Sequence, residues 1–359
     1  LWVIAGACAI GAANQAKFHR LAALAMLSVV GLALCITFAW FSAPDLALTQ
    51  LAVEVVTLVL FLLGLRWMPK RVEQDDPRTR ARAWWRRRRD LMLAVAIGVG
   101  LSALSYALLT RQAPLSISPF FIAKALPEGG GTNVVNVMLV DFRGFDTLGE
   151  ITVLGIVGLT VYALLRRFRP ARETVEATGQ QQVSADTAGA DLIDRDGDGD
   201  DHLPPYLEVP AVLVRLLLPV AGLFAFHLFM RGHNEPGGGF VAGLVVAIAF
   251  ITQYMVSGTR WVEERMHLLP TRWIATGLLI ALATGLGSLA LGHPFLTTHT
   301  AHVTWPLVGQ VHLPTAAIFD LGVLAVVVGS TLLLLTAIAH QSLRARRRQG
   351  LPPAGVREG

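Results

Sequence analysis

Long apolar runs constrain the fold of this sequence more than any other feature. A run of about 20 apolar residues is long enough to cross the ~30 Å hydrocarbon core of a bilayer as a helix. A helix satisfies its own backbone hydrogen bonds, so helices are the structures expected in lipid. The sequence therefore predicts an all-α, polytopic transmembrane protein with about nine membrane helices. The nine runs, the first of them truncated, are 1–13, 21–41, 46–65, 91–109, 148–165, 211–230, 240–256, 273–291 and 316–340.

The distribution of Lys and Arg predicts how these helices are oriented. Only 15% of the residues are charged, and ten of the 30 basic residues lie between Arg66 and Arg89, a loop between two apolar runs. Such a cluster is typical of a cytoplasmic membrane flank, so no nucleic-acid partner is expected. Alternating nine spans places the other basic clusters on the same side. These clusters are 17–20, 166–172, 260–272 and 344–348.

Residues 168–209 are rich in Asp, Gly, Gln, Thr and Ala and cannot bury a core. We interpret them as a disordered acidic linker between two membrane blocks, 1–167 and 210–359, with the linker and the C-terminus in the cytoplasm. The stretch from Asp194 to Gly199 resembles the start of an EF-hand calcium loop. Its twelfth position is Pro205 instead of a bidentate Glu, which favours a solvated linker over a calcium site.

Glu54 is the main candidate for ion translocation, because a charge at mid-bilayer costs about 2.5–3.5 kcal/mol on insertion scales. Gln50, Glu54, Thr57 and Phe61 share one helical face and form a mainly polar strip. A proton or cation relay is favoured over a satisfied interhelical hydrogen bond. Asp45, which follows Ser42-Ala-Pro, is interpreted instead as a structural residue at the helix start.

The segment 111–147 is too long for a plain turn. Helical apolar spacing at 116–126 and 133–140 predicts two interfacial or re-entrant pieces with a glycine hinge between them. Asp141 and Asp146 flank Arg143 just outside the fifth span. They suit either an interfacial ion pair or an ion path. Glu150 is predicted to lie in the first turn of that span, where it would either complement the helix dipole or line an ion entrance.

The second block carries further candidates. His227 is placed in the outer half of its span, and His233 and Glu235 lie in the following turn. Pro236, Gly237, Gly238, Gly239 and Phe240 complete that turn, whose glycines permit unusual backbone shapes. A functional or subunit-docking turn is favoured over a plain one. Asp320 is interpreted either as an N-terminal-turn carboxylate of the last helix or as a partner of His227 or His233.

No catalytic residue, metal site or cofactor is predicted. Cys8 and Cys35 lie within apolar runs and are interpreted as small buried side chains. The histidines of the outer loop, which are His293, His299, His302 and His312, lack tight ligand spacing. No phosphate loop, nucleophile elbow or haem motif occurs in the sequence.

Several motifs resemble one known family. The stretches 15–20, 40–54 and 141–150 resemble the C-terminal end of the A-type subunit of Mrp-type multisubunit sodium/proton antiporters. The stretch 232–240, Gly-His-Asn-Glu-Pro-Gly-Gly-Gly-Phe, resembles the B-type subunit. The resemblance implies an A–B fusion that lacks an N-terminal antiporter-like module. Its first block would be related to the small J-type subunit of complex I, which also has relatives in membrane-bound hydrogenases.

The resemblance implies that the chain is a membrane subunit of a cation/proton antiporter, surrounded by the lipid of the bacterial plasma membrane. The complex would exchange sodium for protons. Its partners would be the other subunits of a complex of six or seven. The functional carboxylates of the family map to Glu54 and Glu150, and its B-type positions map to Pro236, Phe240 and Asp320. Two alternatives stay open, which are a membrane arm of a redox-driven proton pump and a purely structural adaptor.

Overall fold

The computed structural model describes residues 1–16, 19–65, 77–112, 115–167, 205–257, 262, 269–305 and 309–348. Within these residues, eight helices are long and apolar enough to cross a membrane. The short helix α1 corresponds to the truncated first run, so the prediction of an all-α polytopic protein is confirmed. The helices are α1 (Trp2–Gln15), α2 (Arg20–Trp40), α3 (Pro44–Leu65), α4 (Pro77–Thr110), α5 (Ser118–Lys124), α6 (Val134–Val137), a π-helix (Met138–Phe142), α7 (Gly144–Arg167), α8 (Pro205–Arg231), α9 (Gly239–Ser257), α10 (Pro270–Ala290) and α11 (Thr315–Arg348).

Proline sets the starts of several helices. The helices α3, α4, α8 and α10 each begin with a proline, which lacks the amide hydrogen that a first-turn residue could not pair anyway. Two predicted boundaries move as a result. Helix α8 begins at Pro205, within the segment predicted as linker, and α4 begins well before its apolar run. Of the predicted linker, residues 168–204 lie outside the described part of the chain, and so does the whole EF-hand-like stretch from Asp194 to Gly199.

The chain divides into two compact units. The smaller unit, 69–122, contains α4, whose described side chains from Trp84 onward are all exposed. The larger unit comprises 1–68 and 123–359. Its core is built on α11, an apolar helix that packs against α7, α9 and α10. Phe319, Val323, Val326 and Leu332 of α11 are almost fully buried in that core.

Helices α10 and α11 approach each other closely at glycines. A methyl group at Gly277 would lie 2.6 Å from the carbonyl oxygen of Gly322, and one at Gly322 would lie 2.7 Å from the carbonyl oxygen of Gly277. Gly329 makes a similar approach to Ile274. Lipid tails are as apolar as leucine, so close packing of small residues is a main source of helix association in membranes.

A two-stranded antiparallel hairpin occupies the loop between α10 and α11, which was predicted without secondary structure. Strand β1 (Thr300–Trp305) pairs with β2 (Gly309–Pro314), with Thr300 opposite Pro314. Its base is closed by His299, whose amide donates to the Thr315 hydroxyl and whose carbonyl accepts from the Thr315 amide, each at 2.9 Å. The hairpin adds to the helical fold without altering its class.

The glycine contact between α10 and α11 predicts a position-specific stability effect. Gly277→Ala should destabilise the folded protein by about 1–3 kcal/mol, because the methyl group would meet backbone atoms that cannot move aside alone. Gly287→Ala is the matched control on the same helix, since nothing lies within 4 Å of the added methyl group. The measurement is the folded fraction of detergent-solubilised protein after heating. Equal stability of the two variants would contradict the close contact.

Candidate functional site

Hydrogen bonds join four loops at one end of the larger unit. The Asp45 carboxylate accepts from the Asn133 side chain at 3.1 Å and from the Gly237 amide at 2.9 Å. The Asp141 carboxylate accepts from the Thr298 amide at 3.1 Å. These residues come from four segments near helix ends, which are 42–45, 111–147, 231–239 and 292–315. We call Asp45, 129–136 and 232–239 together the loop junction.

Asn133 is the most connected side chain of the loop junction. Its amide oxygen accepts from the Val135 and Asn136 amides and caps α6. Its amide nitrogen lies 3.1 Å from an Asp45 oxygen and from the carbonyl oxygens of Gly232 and Glu235, so its two hydrogens are shared among these three acceptors. One side chain therefore joins three separate segments. Asn133 was not predicted as a site residue, although an Asn directly before a short apolar helix is a typical N-cap signal.

The glycine turn adopts a conformation that suits only glycine. Gly238 has φ +97°, and a methyl group there would lie 2.8 Å from the Asn136 side-chain nitrogen. The turn directs successive amides to different acceptors. Gly237 donates to Asp45, Gly238 to the Leu228 carbonyl at 3.0 Å, and Gly239 to Asp320 at 2.7 Å. The predicted need for unusual backbone shapes in this turn is thus met by Gly238.

Asp320 lies beside the N-terminus of α9. It is 9% exposed and is the sixth residue of α11, so it is not in the first turn of its own helix. Its carboxylate accepts from the amide of Gly239, the first residue of α9, where unpaired amides and the helix dipole favour negative charge. The partner of Asp320 is therefore a backbone amide, where the sequence had suggested His227 or His233.

The three polar side chains predicted around the turn have different environments. His227 is exposed on α8. Glu235 is exposed and forms an ion pair with Arg231 at 2.7 Å. His233 is half-buried, and its Nε2 donates to the Gly129 carbonyl at 2.8 Å. Burial lowers the pKa of His233, outweighing the hydrogen bond to Gly129 and the negative charge of Asp141, which both raise it.

A π-helix, which the sequence did not predict, leads into α7. It spans Met138–Phe142 and contains Asp141, and π-helical turns are frequent at functional sites. Arg143 and Asp146 form the ion pair that the sequence suggested as one alternative, in an exposed position. Glu150 is the seventh residue of α7 and exposed, so the prediction that it lies in the first turn is wrong. The boundary shifted because α7 begins at Gly144.

Glu54 lies far from these loops along its helix, in the contact between α2 and α3. It is the eleventh of the 22 residues of α3 and is half-buried. Its carboxylate lies directly against the Cα of Gly31 in α2. Within the described part of the chain, it has no hydrogen-bond or ion-pair partner. Gly31 was not predicted, because no pattern within α2 indicates which residue of α3 it meets.

Comparison with known proteins identifies the family. The models of two MBH subunits, MbhD and MbhE, match residues 3–70 and 85–182, and the "Domain related to MnhB subunit of Na+/H+ antiporter" matches residues 209–333. The B-type subunit of the Na(+)/H(+) antiporter of Alkalihalophilus pseudofirmus is 38% identical over 131 residues, covering 36% of this chain and 91% of that protein. This chain belongs to the Mrp-type antiporter subunit family.

Further relatives extend the match over nearly the whole chain. The probable K(+)/H(+) antiporter A/B subunit of Rhizobium meliloti is 55% identical over 97% of this chain, which spans only 35% of that protein. The A-type subunit of the Na(+)/H(+) antiporter of Bacillus subtilis is 42% identical over 41% of this chain and 18% of its own length. A chain of the Mrp complex from Dietzia sp. DQ12-45-1b matches with a TM-score of 0.74 at 28% identity, covering 94% of this chain and 34% of that chain.

Two chemical settings are thus present in this family member. At the loop junction and beside it, Asp45, Asp141 and Asp320 accept from backbone amides and are fixed in place, which suits a structural contact. At mid-helix, the Glu54 carboxylate faces a glycine and makes no hydrogen bond to any other residue that the structure describes. A carboxylate with free oxygens can exchange a proton for a cation, whereas one that is held by amides is less available for exchange.

Asn133 gives a sharp test of the loop junction. Asn133→Ala removes the donor to three acceptors and should destabilise the junction by about 1–3 kcal/mol. Asn133→Asp keeps the N-cap acceptor but turns a negative charge toward Asp45 and two carbonyls, so it should be more harmful than Ala. Limited proteolysis between α5 and α7 measures the effect. Asp tolerated better than Ala would show that helix capping outweighs the contacts between loops.

His233 gives a pH-dependent prediction. Its pKa in the folded protein lies below the ordinary value of 6.5, so the unfolded chain takes up a proton first as the pH falls. Neutral His233 therefore stabilises the folded protein fully above pH 6.5, and this stabilisation is lost as the pH falls through the lowered pKa of His233. Amide exchange of 129–136 should accelerate between pH of about 7.5 and about 5.5, either side of the ordinary value.

The control for this prediction is His233→Gln. Gln can donate to the Gly129 carbonyl but does not titrate, so acceleration beyond the intrinsic change in exchange rate should disappear in this variant. The same acceleration in the Gln variant would assign the pH dependence to another group.

Proposed function

We propose that this chain is a membrane subunit of a multisubunit monovalent cation/proton antiporter, and that it contributes both to ion translocation and to assembly of the complex. The family membership and the coverage of both A-type and B-type relatives support this function. The chain carries no covalent chemistry in this proposal. Its partners are the other subunits of the complex, its surroundings are the lipid of the bacterial plasma membrane, and its transported ions are a proton and Na+ or K+.

The single observation that carries the proposal is the position of Glu54. It is a carboxylate at the middle of a membrane-spanning helix, half-buried between α2 and α3 and without a partner among the residues that the structure describes. A charge in such a place is costly unless it is neutralised, so its presence calls for an ionic role. Thr57, one turn further on, uses its hydroxyl to pair with Val53 and does not satisfy Glu54.

Charge balance explains how one carboxylate can couple two ions. With a bound proton or a bound monovalent cation, the Glu54 site is electrically neutral, whereas the empty carboxylate carries a full negative charge in an apolar setting. The empty state is therefore the costly one. A site that changes its access from one side to the other only when neutral exchanges one ion for the other, which is antiport.

The remaining candidates divide by their contacts. Asp141, Asp146 and Glu150 lie along the π-helix and the start of α7, where they form a possible approach for ions. The other candidates lie in or beside the glycine turn of the loop junction, and we assign these candidates to assembly of the complex. They are His227, His233, Glu235, Asp320 and the turn Pro236 to Phe240. Asp320 supports this division because its carboxylate is already used by the Gly239 amide.

We further propose the orientation and the division of the chain. The two membrane blocks are 1–167 and 210–359, and the linker between them and the C-terminus lie in the cytoplasm. The basic clusters that alternate with the spans support this orientation. Hydrogen bonds between Asp45 and Gly237 and between Asp141 and Thr298 support direct contact of the two blocks at the opposite end.

The test uses everted membrane vesicles that contain the complete complex. A preformed pH gradient should collapse when Na+ or K+ is added, and Glu54→Gln should reduce this collapse to background at matched assembly, because Gln can neither release a proton nor carry a charge. Glu128→Gln is the control, since Glu128 is exposed and pairs with Lys124 in a loop segment. The Na+ and K+ arms are run separately, because relatives are named for each cation.

The outcomes separate the proposal from its two alternatives. Cation-dependent collapse that survives Glu54→Gln would reduce this chain to a structural adaptor. No response to either cation in the wild type would favour a membrane arm of a redox-driven proton pump. Loss of the response in Glu54→Gln but not in Glu128→Gln would assign Glu54 to the ion path.

A further inference from the structure

Gly31 and Glu54 meet near the midpoints of two helices that are long enough to cross a membrane. Gly31 is the twelfth of the 21 residues of α2, and Glu54 is the eleventh of the 22 residues of α3. Gly31 is buried, and a methyl group built on its Cα would overlap the Glu54 carboxylate, with both oxygens and the carboxyl carbon within 3.0 Å. The carboxylate thus occupies the volume that any other side chain at position 31 would need.

The helix contact around this pair is formed by small residues. Gly31, Ala33 and Ala47 are buried, and the Cys35 thiol donates to the Ala47 carbonyl at 3.2 Å. Small side chains allow two membrane helices to approach closely. Against this close contact, the missing side chain of Gly31 leaves a recess in α2, and the Glu54 carboxylate fills it.

We infer that Gly31 is a positioning residue for Glu54, providing the recess in α2 that fixes the place at which the carboxylate binds and releases its ion. The inference rests on the proposed role of Glu54 in transport. It assigns the location of the carboxylate to a residue with no functional group of its own.

The effect of Gly31 on the Glu54 carboxylate can be separated from its effect on stability, because of the kind of atoms that an added methyl group would meet. At Gly277, an added methyl group would meet backbone atoms of a neighbouring helix. At Gly31, the three nearest atoms all belong to the far end of the Glu54 side chain, which can rotate out of the recess. Alanine is also the better helix former, by about 1 kcal/mol. Gly31→Ala should therefore leave the helix contact intact and displace the carboxylate.

Shortening the side chain at position 54 tests the same contact from the side of α3. Glu54→Asp removes one methylene and withdraws the carboxylate toward α3, so it no longer reaches the recess. Gly31→Ala should then change the transport rate and the labelling of residue 54 much less in the Glu54→Asp background than in the wild type. Such non-additivity is expected only when two residues share one contact.

The experiment uses the complete complex with Gly31→Ala, Glu54→Asp, the double variant and Gly64→Ala. Gly64 is the control on α3, because nothing lies within 4 Å of its added methyl group. Assembly and heat resistance of each complex are measured first. The initial rate of pH-gradient collapse is then recorded over a series of cation concentrations. In parallel, modification of residue 54 by dicyclohexylcarbodiimide is followed by mass spectrometry, with and without the cation.

The expected result is normal assembly of all variants. Gly31→Ala should lower the transport rate about tenfold, since displacement of a reacting group by about 1 Å can cost up to ~10²-fold. It should also raise the cation concentration for half-maximal rate, speed carbodiimide labelling and weaken protection by the cation. Gly64→Ala should match the wild type, and Gly31→Ala should change labelling little in the Glu54→Asp background.

Three outcomes would overturn the inference. They are unchanged transport and labelling in Gly31→Ala, loss of assembly in Gly31→Ala, and strictly additive effects on labelling in the double variant. Failure of the proposed function is distinguishable, because Glu54→Gln would then transport like the wild type. If Glu54→Gln abolishes transport while Gly31→Ala has no effect, only the role of Gly31 fails.

Discussion

Three aspartates at one end of the helix bundle each accept a hydrogen bond from the backbone of another segment, and the arrangement of the loops depends on these contacts. Asp45 accepts from Gly237, Asp141 from Thr298 and Asp320 from Gly239. Charge-assisted hydrogen bonds of this kind are about twice as strong as neutral ones. Two of the three connect the part of the chain before residue 168 to the part after residue 204. The two parts are thus joined by direct contact as well as by covalent connection.

These contacts also account for the composition of the glycine turn. Gly238 and its neighbours present successive amides in different directions, which requires a positive φ at Gly238 and close approach of backbone atoms. The same turn starts α9 at Gly239, so one short stretch both reverses the chain and offers donors to Asp45 and Asp320. A side chain on Gly237 or Gly239 would meet the Leu228 carbonyl or Asp320.

The membrane helices were predictable from sequence because apolar length and charge alternation are local properties. The candidate carboxylate Glu54 was predictable for the same reason, since a charge within an apolar run is visible without a structure. The partners were not predictable. Asn133 meets Gly232 across 99 positions of the sequence. Asp320 was predicted either as a first-turn carboxylate of its own helix or as a histidine partner, and it instead accepts from the first amide of α9. Which loop residues meet is decided by how the helices pack, and no local pattern records that.

The contrast between Asp320 and Glu54 bears on mechanism. Both are acidic side chains in membrane-spanning helices, yet Asp320 is held by the first amide of α9 and Glu54 lies against a glycine. The Gly239 amide occupies one oxygen of the Asp320 carboxylate and holds it in place, which suits a structural contact. Gly31 has no side chain that could donate to Glu54, and in the proposed mechanism an incoming proton or cation neutralises that carboxylate. In that proposed mechanism, the absence of a side chain at position 31 matters for exchange because the Glu54 carboxylate occupies the space that a side chain there would need.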